Sequence, residues 1–508
     1  MNFKKKHIIL FLVLICFACQ ENEQIVIEPQ IIPAPNALNI TESDFYLSSE
    51  THLIFDKELE PVAAYWKSLV THVFGLNTGK SNTIRFVLDD SINNPEGYVL
   101  NIDSKEILIK SSSPKGAFYA VQSLIQLLPS EFISGNLEYD GIKIQTLKIE
   151  DEPRFKYRGM HLDVGRHMYP VELIKKYIDA RAMLKMNTFH WHLTDDQGWR
   201  IEIKKYPKLQ EVAAFREETL IGHYNDSPQQ FDGKKYGGFY TQEEVKEIVK
   251  YASERYITVI PEIEMPGHSE AALQCYPEYS CDGTGKTGVY CAGNDESFKF
   301  LQDIISEVIP LFPYQYMHIG GDEVGKSAWL SCNKCRKRMK AENLQNGEEL
   351  QSYFVKRMEK FIHSKNKKLI GWDEILEGGL PERATVMSWR GFKGGIEAAN
   401  EGHDVVMSPG SHLYFDHNQG KSEFEPPSWG GYNNLLKVYD FNPIPEDISA
   451  DKRHHILGAQ ANLWTEQIKT LSHVQYMVLP RLTALSEALW TKPINKNKQA
   501  FIKKLDIH

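Results

Sequence analysis

Residues 241–268 read Thr241-Gln-Glu-Glu-Val-Lys-Glu-Ile-Val-Lys-Tyr-Ala-Ser-Glu-Arg-Tyr-Ile-Thr-Val-Ile-Pro-Glu-Ile-Glu-Met-Pro-Gly-His268, and this stretch decides the fold. Thr241 followed by Glu244 is a capping box that opens an amphipathic helix running to about Arg255. A short apolar strand over 256–263 follows at once and ends among acids and a histidine. Short apolar strands alternating with amphipathic helices are the pattern of βαβ units around a parallel sheet. The alternation fills the chain beyond about residue 153. Its strand candidates are 157–163, 187–193, 256–263, 316–320, 368–372, 384–389, 404–408 and 456–463. Eight parallel strands close a barrel. A doubly wound open sheet is the competitor, but no Gly-rich phosphate loop follows the first strand of this region. The fold class expected is α/β: a (β/α)8 TIM barrel over residues 153–508, preceded by a small α+β domain.

That smaller domain is expected over 36–152. Strand-like runs occur at 83–88, 97–102 and 106–110, the last two alternating, and a helical pattern covers 116–128. Asp151-Glu-Pro153 breaks both periodicities and marks the boundary. Upstream, Lys4, Lys5 and Lys6 precede an apolar run over 8–18, the form of a secretory signal and too short to span a bilayer. Ala18 before Cys19 resembles a lipobox, although Cys16 stands where leucine is usual. The expectation is a signal over 1–18, acylation at Cys19, a tether over 19–35 and an exported, outer-membrane lipoprotein facing the periplasm or the cell surface. The membrane is then a partner through the lipid anchor alone.

Composition narrows the function. The 508 residues are 42% hydrophobic and 25% charged, which sets aside disorder, collagen and coiled coil as global descriptions. Lys and Arg number 58 against 67 Asp and Glu, for a net charge of −9, or about −12 without the leader's lysines. With no basic block outside the leader, nucleic acid is not an expected partner. Beyond Cys16 and Cys19 the chain has Cys275, Cys281, Cys291, Cys332 and Cys335. Cys332-Asn-Lys-Cys335 could be half of a zinc site, but no second matching pair is evident, so a local disulfide or two free thiols is expected. Cys281 and Cys291 flank a Gly-rich loop and form the other candidate pair.

Barrel chemistry sits at the C-terminal ends of the strands. Here those ends carry Asp163, Arg166 and His167; His190, His192, Asp195 and Asp196; Glu262, Glu264 and His268; His318, Asp322 and Glu323; Trp372, Asp373 and Glu374; Trp389 and Arg390; then Gln460, Asn462, Trp464 and Glu466. Three functions suit such a mouth. A metal-dependent hydrolase could use His190 and His192, which share one strand face. A glycoside hydrolase needs carboxylates beside apolar platforms, which the acids and tryptophans supply. A sugar-binding lipoprotein without chemistry would need the tryptophans but not the acids.

Gly320-Gly-Asp-Glu323 is the most informative segment. Adjacent side chains of a strand face opposite ways, so Asp322 and Glu323 could share a ligand only if the two glycines turn the backbone. Two acids in one cavity repel, and one then holds a proton beside an ionised neighbour, as a general acid requires. A helix N-terminus enriched in acids is the plainer alternative.

Tyr157-Arg-Gly-Met-His-Leu-Asp-Val-Gly-Arg-His167, His190-Trp-His-Leu-Thr-Asp-Asp-Gln-Gly-Trp-Arg200, Pro261-Glu-Ile-Glu-Met-Pro-Gly-His268, His318-Ile-Gly-Gly-Asp-Glu323, Gly371-Trp-Asp-Glu374 and Ala461-Asn-Leu-Trp-Thr-Glu466 resemble the β-N-acetylhexosaminidases of glycoside hydrolase family 20. Gly97-Tyr-Val-Leu100 and the segment 115–124 resemble the small domain that precedes the barrel there. The resemblance spans about residues 30–490. It implies an exo-acting, retaining enzyme for terminal β-linked N-acetylglucosamine or N-acetylgalactosamine on an oligosaccharide or glycoconjugate. The nucleophile is the substrate's own acetamido group, and no cofactor or metal is required. By matching positions, Glu323 would be the general acid and Asp322 would orient the acetamido group. Arg166 would hold the 3- and 4-hydroxyls, and Trp372, Trp389 and Trp464 would enclose the sugar and its methyl group. Tyr414 would bond the acetamido oxygen, Asp416 and Glu466 the outer hydroxyls, while Asp195 and His268 would set the ionisation of the acid. One departure is that only about 18 residues follow Trp490, so a short closing helix and no further module are expected at that end. Loops near 222–240 and 409–453 are expected to line the mouth.

Overall fold

A computed structural model describes residues 29–48, 50–70, 82–129 and 141–506. The leader, Cys16 and Cys19 lie outside the described residues. The first unit is a six-stranded sheet built from β1 (Ala37–Leu47), β2 (His52–Phe55), β3 (Thr83–Leu88), β4 (Tyr98–Ile102), β5 (Glu106–Ser111) and β6 (Ile142–Asp151). The order is β1-β6-β4-β5-β3-β2, with β5, β3 and β2 parallel and the other pairs antiparallel. β4 and β5 alternate between buried and half-buried residues, the period that made them legible. The helix Pro114–Ile125 packs on these two strands, its start capped by Ser113.

The eight expected strands all form and close a parallel barrel. They are β7 (Tyr157–Asp163), β8 (Thr188–His192), β9 (Thr258–Glu262), β10 (Tyr316–His318), β11 (Lys368–Trp372), β12 (Thr385–Ser388), β13 (Val405–Met407) and β14 (Ile456–Ala461). The capping box is made in both directions: Thr241 N–H donates to Glu244 Oε2 (2.8 Å), and Glu244 N–H to Thr241 Oγ1 (3.2 Å). Such a cap is worth about 1 kcal/mol. Register matters more for function. Asp163 stands opposite His192, His192 opposite Glu262, and Glu262 opposite His318, so the polar strand ends lie level.

The two units share a polar seam. Arg158, fully buried on β7, donates to Glu96 (2.6 Å), and Lys185 and Trp490 both donate to Asp151 at the end of β6 (3.0 and 2.9 Å). The expected tether needs correction over its described part. Ile31 and Ile32 are fully buried, Ile32 N–H donates to Gln126 (2.7 Å) and Ala34 N–H to Glu487 (2.9 Å). Two adjacent isoleucines are apolar area that burial takes out of water, and this docks the segment. After Trp490 a short helix, Lys498–Leu505, buries Phe501 against Tyr439. Among the described residues no helix is long and apolar enough to cross a membrane.

The cysteines are arranged in a way that their spacing did not indicate. All five described thiols are free, and Cys281, Cys291, Cys332 and Cys335 gather into one cluster, leaving Cys275 apart. Free thiols at Cys332 and Cys335 are one of the two states expected there, while the candidate pair Cys281 and Cys291 is not joined. Cys332 caps the helix Asn333–Ala341 and Cys335 lies on its first turn, so both face the segment carrying Cys281 and Cys291.

Candidate active site

The polar ends of the strands build two layers. The lower layer is centred on Glu262, which is fully buried at the end of β9. His318 Nδ1 lies 2.8 Å and Trp372 Nε1 2.9 Å from its Oε1; His190 Nε2 lies 3.0 Å from its Oε2, which His192 also contacts. Despite burial, these histidines hold Glu262 well below the usual carboxylate range. Burial pushes His190 down to about 4, whereas Glu262 and Asp195 overcome burial and hold His192 up to about 10. The two histidines of the expected metal alternative are therefore engaged as partners of one structural carboxylate. Trp372, 1% exposed, lies over this layer as the floor of the mouth.

The upper layer holds the reactive acids. β10 stops at His318, two residues earlier than its sequence suggests, because Gly320 and Gly321 turn at φ +70° and +92°. A Cβ on Gly320 would stand 1.6 Å from Glu264 Oε2, so the turn admits no side chain there. The turn puts Asp322 and Glu323 on one side, and both face His268. His268 Nε2 is 3.6 Å from Asp322 Oδ2 and 3.5 Å from Glu323 Oε2, while its Nδ1 is 3.4 Å from Asp195 Oδ1 and 3.2 Å from Asp196 Oδ2. His268 and Glu323 both have positive φ, +44° and +46°. For residues with side chains this backbone is uncommon, and here it falls on two facing residues of the site.

Burial orders the two acids opposite to the general-acid role that the resemblance gives Glu323. Burial pushes Asp322 up to about 6 against the pull of His268, and its Oδ1 lacks a partner among the described residues. Glu323 has its side chain 59% exposed, and His268 holds it below the ordinary value. In the open site Asp322 is thus the member that keeps a proton longest. Glu264, buried behind the turn with neither oxygen bonded, is raised well above its usual range by burial and by Asp322.

The remaining expected residues converge on the same mouth. Arg166 donates to Asp163 (3.2 Å) and Gln197 (2.8 Å), and its guanidinium reaches Asp195 (3.0 Å) and Glu466 (3.6 Å). It also lies 5.1 Å from the centre of the Trp464 ring. Trp389 stacks on Tyr414 at 6.0 Å and 22° and donates to Glu374 (2.9 Å). Tyr414 is 6.4 Å and Trp372 5.8 Å from Trp464. Tyr414 is fixed by its backbone bridge to Asn462, which draws the loop onto β14. Asp416 is buried with Oδ1 unpartnered among the described residues, and Glu466 Oε2 is likewise unpartnered. Burial and mutual repulsion raise Asp416 well above the carboxylate range; burial also raises Glu466 against Arg166. Together these groups make an aromatic cage with acids at its base and at its rim, among them carboxylate oxygens without a partner among the described residues.

A family model for the catalytic domain of glycosyl hydrolase family 20 matches residues 155–493. The chain belongs to glycosyl hydrolase family 20. The family's domain 2 matches residues 28–152. A beta-hexosaminidase of Porphyromonas gingivalis is 47% identical over 495 residues, covering 94% of this chain and 62% of that protein. One from Vibrio furnissii is 36% identical, covering 90% and 76%. The chain thus spans under two thirds of the Porphyromonas relative's length. Among solved structures, a family 20 exo-β-N-acetylglucosaminidase from Vibrio harveyi, determined with N-acetylglucosamine, superposes with a TM-score of 0.85 at 31% identity, covering 94% of this chain and 76% of that one. A β-N-acetylhexosaminidase from Bacteroides fragilis gives 0.80 at 30%, covering 94% of both.

Within this family 20 site, sequence reasoning left out three contributors. Asp196 shares His268 with Asp195, and Glu374, pushed up to about 8 by burial and by Asp322, anchors Trp389. Both stood in the strand-end motifs, but nothing in spacing tells a positioning acid from a solvated one. Trp429 packs 4.4 Å from His223 and 5.1 Å from Tyr224, ring centre to ring centre. It thereby joins the two loops near 222–240 and 409–453, a contact no local pattern announces.

Proposed function

We propose that this chain is an exo-β-N-acetylhexosaminidase that releases terminal β-linked N-acetylglucosamine or N-acetylgalactosamine with retention, by substrate-assisted catalysis. The observation that carries the reading is the pair Asp322 and Glu323, turned into one cage by Gly320 and Gly321 and bridged by His268. Glu323 donates its proton to the glycosidic oxygen as the C1–O bond breaks, and the acetamido carbonyl oxygen bonds C1 from the opposite face. The ionised Asp322 accepts from the acetamido N–H and offsets the positive charge of the oxazolinium. Glu323 then takes a proton from the water that attacks C1 and reopens the ring. Because the nucleophile belongs to the substrate, its attack is intramolecular.

Trp389, Trp464, Trp372 and Tyr414 enclose the sugar and the acetamido group, while Arg166, Asp416 and Glu466 bind the outer hydroxyls. A sugar in the cage strips water from Glu323 and raises its affinity for the proton, while the positive charge that develops on the acetamido nitrogen favours the ionised form of Asp322. Aryl β-N-acetylglucosaminide should turn over while the matching β-glucoside does not; equal rates on both would overturn assistance by the acetamido group. Saturable binding without released monosaccharide would point instead to a sugar-binding lipoprotein. The reading extends to an exported enzyme held at the outer membrane by acylated Cys19. Cys19→Ala should then move the protein from the membrane to the soluble fraction.

A further inference from the structure

We infer that Cys281, Cys291, Cys332 and Cys335 form a structural tetrathiolate zinc site that ties the segment after β9 to the helix after β10. Their sulfurs all lie within 4.8 Å of one another. The shortest separations are nearly equal: Cys281 to Cys335 3.6 Å, Cys291 to Cys335 3.6 Å and Cys291 to Cys332 3.8 Å. Zinc with sulfur ligands at about 2.3 Å in tetrahedral array has ligands about 3.8 Å apart. A pair of disulfides has a different form, in which each sulfur has one partner at about 2.0 Å and none equally near. Cys335 is instead equidistant from two sulfurs. Export to an oxidising compartment favours disulfides as a class, so the equal spacing is the deciding observation.

The surroundings suit a bound cation with four thiolates, whose net charge is −2. Cys332 caps the helix Asn333–Ala341, whose N-terminus favours anions, and that helix carries Lys334, Arg336, Lys337, Arg338 and Lys340. Gly293 N–H points at the Cys291 sulfur. A Cβ on Gly293 would lie 2.2 Å from the Lys334 carbonyl carbon and 2.3 Å from Cys335 N, so glycine lets the two backbones close on the cluster. Cys291 and Cys335 are fully buried, Cys332 8% exposed and Cys281 half-buried, as a closed structural site requires.

The cluster has a direct line to the mouth. Cys291 follows Tyr290, whose N–H donates to Pro266 O (2.9 Å) and whose carbonyl accepts from Trp329 Nε1 (2.9 Å). Ser269 N–H donates to Gly288 O (3.1 Å). The turn that holds His268 is thereby hydrogen-bonded on both sides to the segment that zinc would fix. The inference does not depend on the reaction, and its readouts are metal content and thermal stability.

Elemental analysis of the purified full-length protein should find about one zinc per chain. Cys332→Ser should remove it, Cys275→Ser should retain it, and loss of the metal should lower the melting temperature by on the order of 5 °C. Where a variant does not fold, the wild type still decides: mercurial titration of the native protein should release one zinc, read with a chromogenic chelator, as four thiols react. Two disulfides among these four cysteines by non-reducing peptide mapping, or zinc retained in Cys332→Ser, would overturn the site.

Discussion

The segments that follow β9 and β10 carry two clusters of opposite character. At the mouth, His268, Asp322 and Glu323 meet Asp195 and Asp196 in a site with a water-exposed acid, unbonded carboxylate oxygens and two positive-φ side chains. Behind it, three buried thiols and one half-buried thiol lie within 4.8 Å of one another. One cluster keeps charge imperfectly paired, where a substrate can complete it; the other is closed around itself. The difference separates chemistry from support within the same two segments, since stability is gained by satisfying polar groups and catalysis by leaving some for the transition state.

The largest way to break this division is Glu323→Gln. A mouth that acts by acid catalysis should lose about 10³-fold in kcat/KM on oligosaccharides and much less on nitrophenyl substrates, whose leaving groups need no proton. A uniform loss across leaving groups, measured by steady-state kinetics, would contradict the role of Glu323. Asp322→Asn should cost about 10²-fold on every substrate, because the charge it stabilises forms whatever the leaving group.

The acid pair also has a pH signature. Its working form carries one proton. Asp322 is raised and Glu323 lowered, so the free pair keeps its last proton until the pH rises through about 6. The kcat/KM profile, which reports the free enzyme, should therefore decline above about pH 6. In Asp322→Asn the remaining carboxyl is Glu323, held low by His268, and the decline should move to lower pH. In kcat, which reports the complex, the wild-type decline should lie higher, since the sugar dehydrates Glu323. Coincident limbs in the two profiles would remove that coupling.

Arg166→Ala should be smaller, about 10-fold to 10²-fold, expressed mainly in KM, because the arginine meets hydroxyls present in ground state and transition state alike. It also leaves Asp195 without its principal counter-charge, and the pH limb should shift with it. A change in kcat with KM intact would place Arg166 with the reacting groups instead.

How far each cluster was legible follows from its distance to a strand end. His268, Asp322 and Glu323 fall just past strands whose apolar pattern is plain, and the barrel rule then places them at one face. The level register of Asp163, His192, Glu262 and His318 is a consequence of parallel pairing that alternation alone implies. What sequence could not assign was which acid keeps the proton, because the answer depends on burial of Asp322 beside Glu264 and exposure of Glu323. The thiols lie well beyond the strands, Cys281 and Cys291 in irregular chain and Cys332 and Cys335 at the start of a helix. Cys332 and Cys335 have a recognisable spacing, but Cys281 and Cys291 are too far apart to match it, and only the close approach at Gly293 brings the pairs together. Ile31 and Ile32 were misread as tether for a similar reason: their burying surface comes from Gln126 and the C-terminal helices, distant in sequence.

The smallest expected effect sharpens the comparison most. If the thiol cluster is support, a folded Cys332→Ser enzyme assayed at 25 °C should keep kcat within about threefold, because the bonds of Tyr290 to Pro266 and of Ser269 to Gly288 persist without the metal. Its half-life on heating should nevertheless fall by about tenfold or more, since a tie between two segments acts on opening. Inactivation rates followed over a range of temperatures measure this. A kcat loss as large as that of Asp322→Asn, at a temperature where circular dichroism is native, would mean that the thiols set the position of His268 directly, and the two clusters would have to be treated as one site.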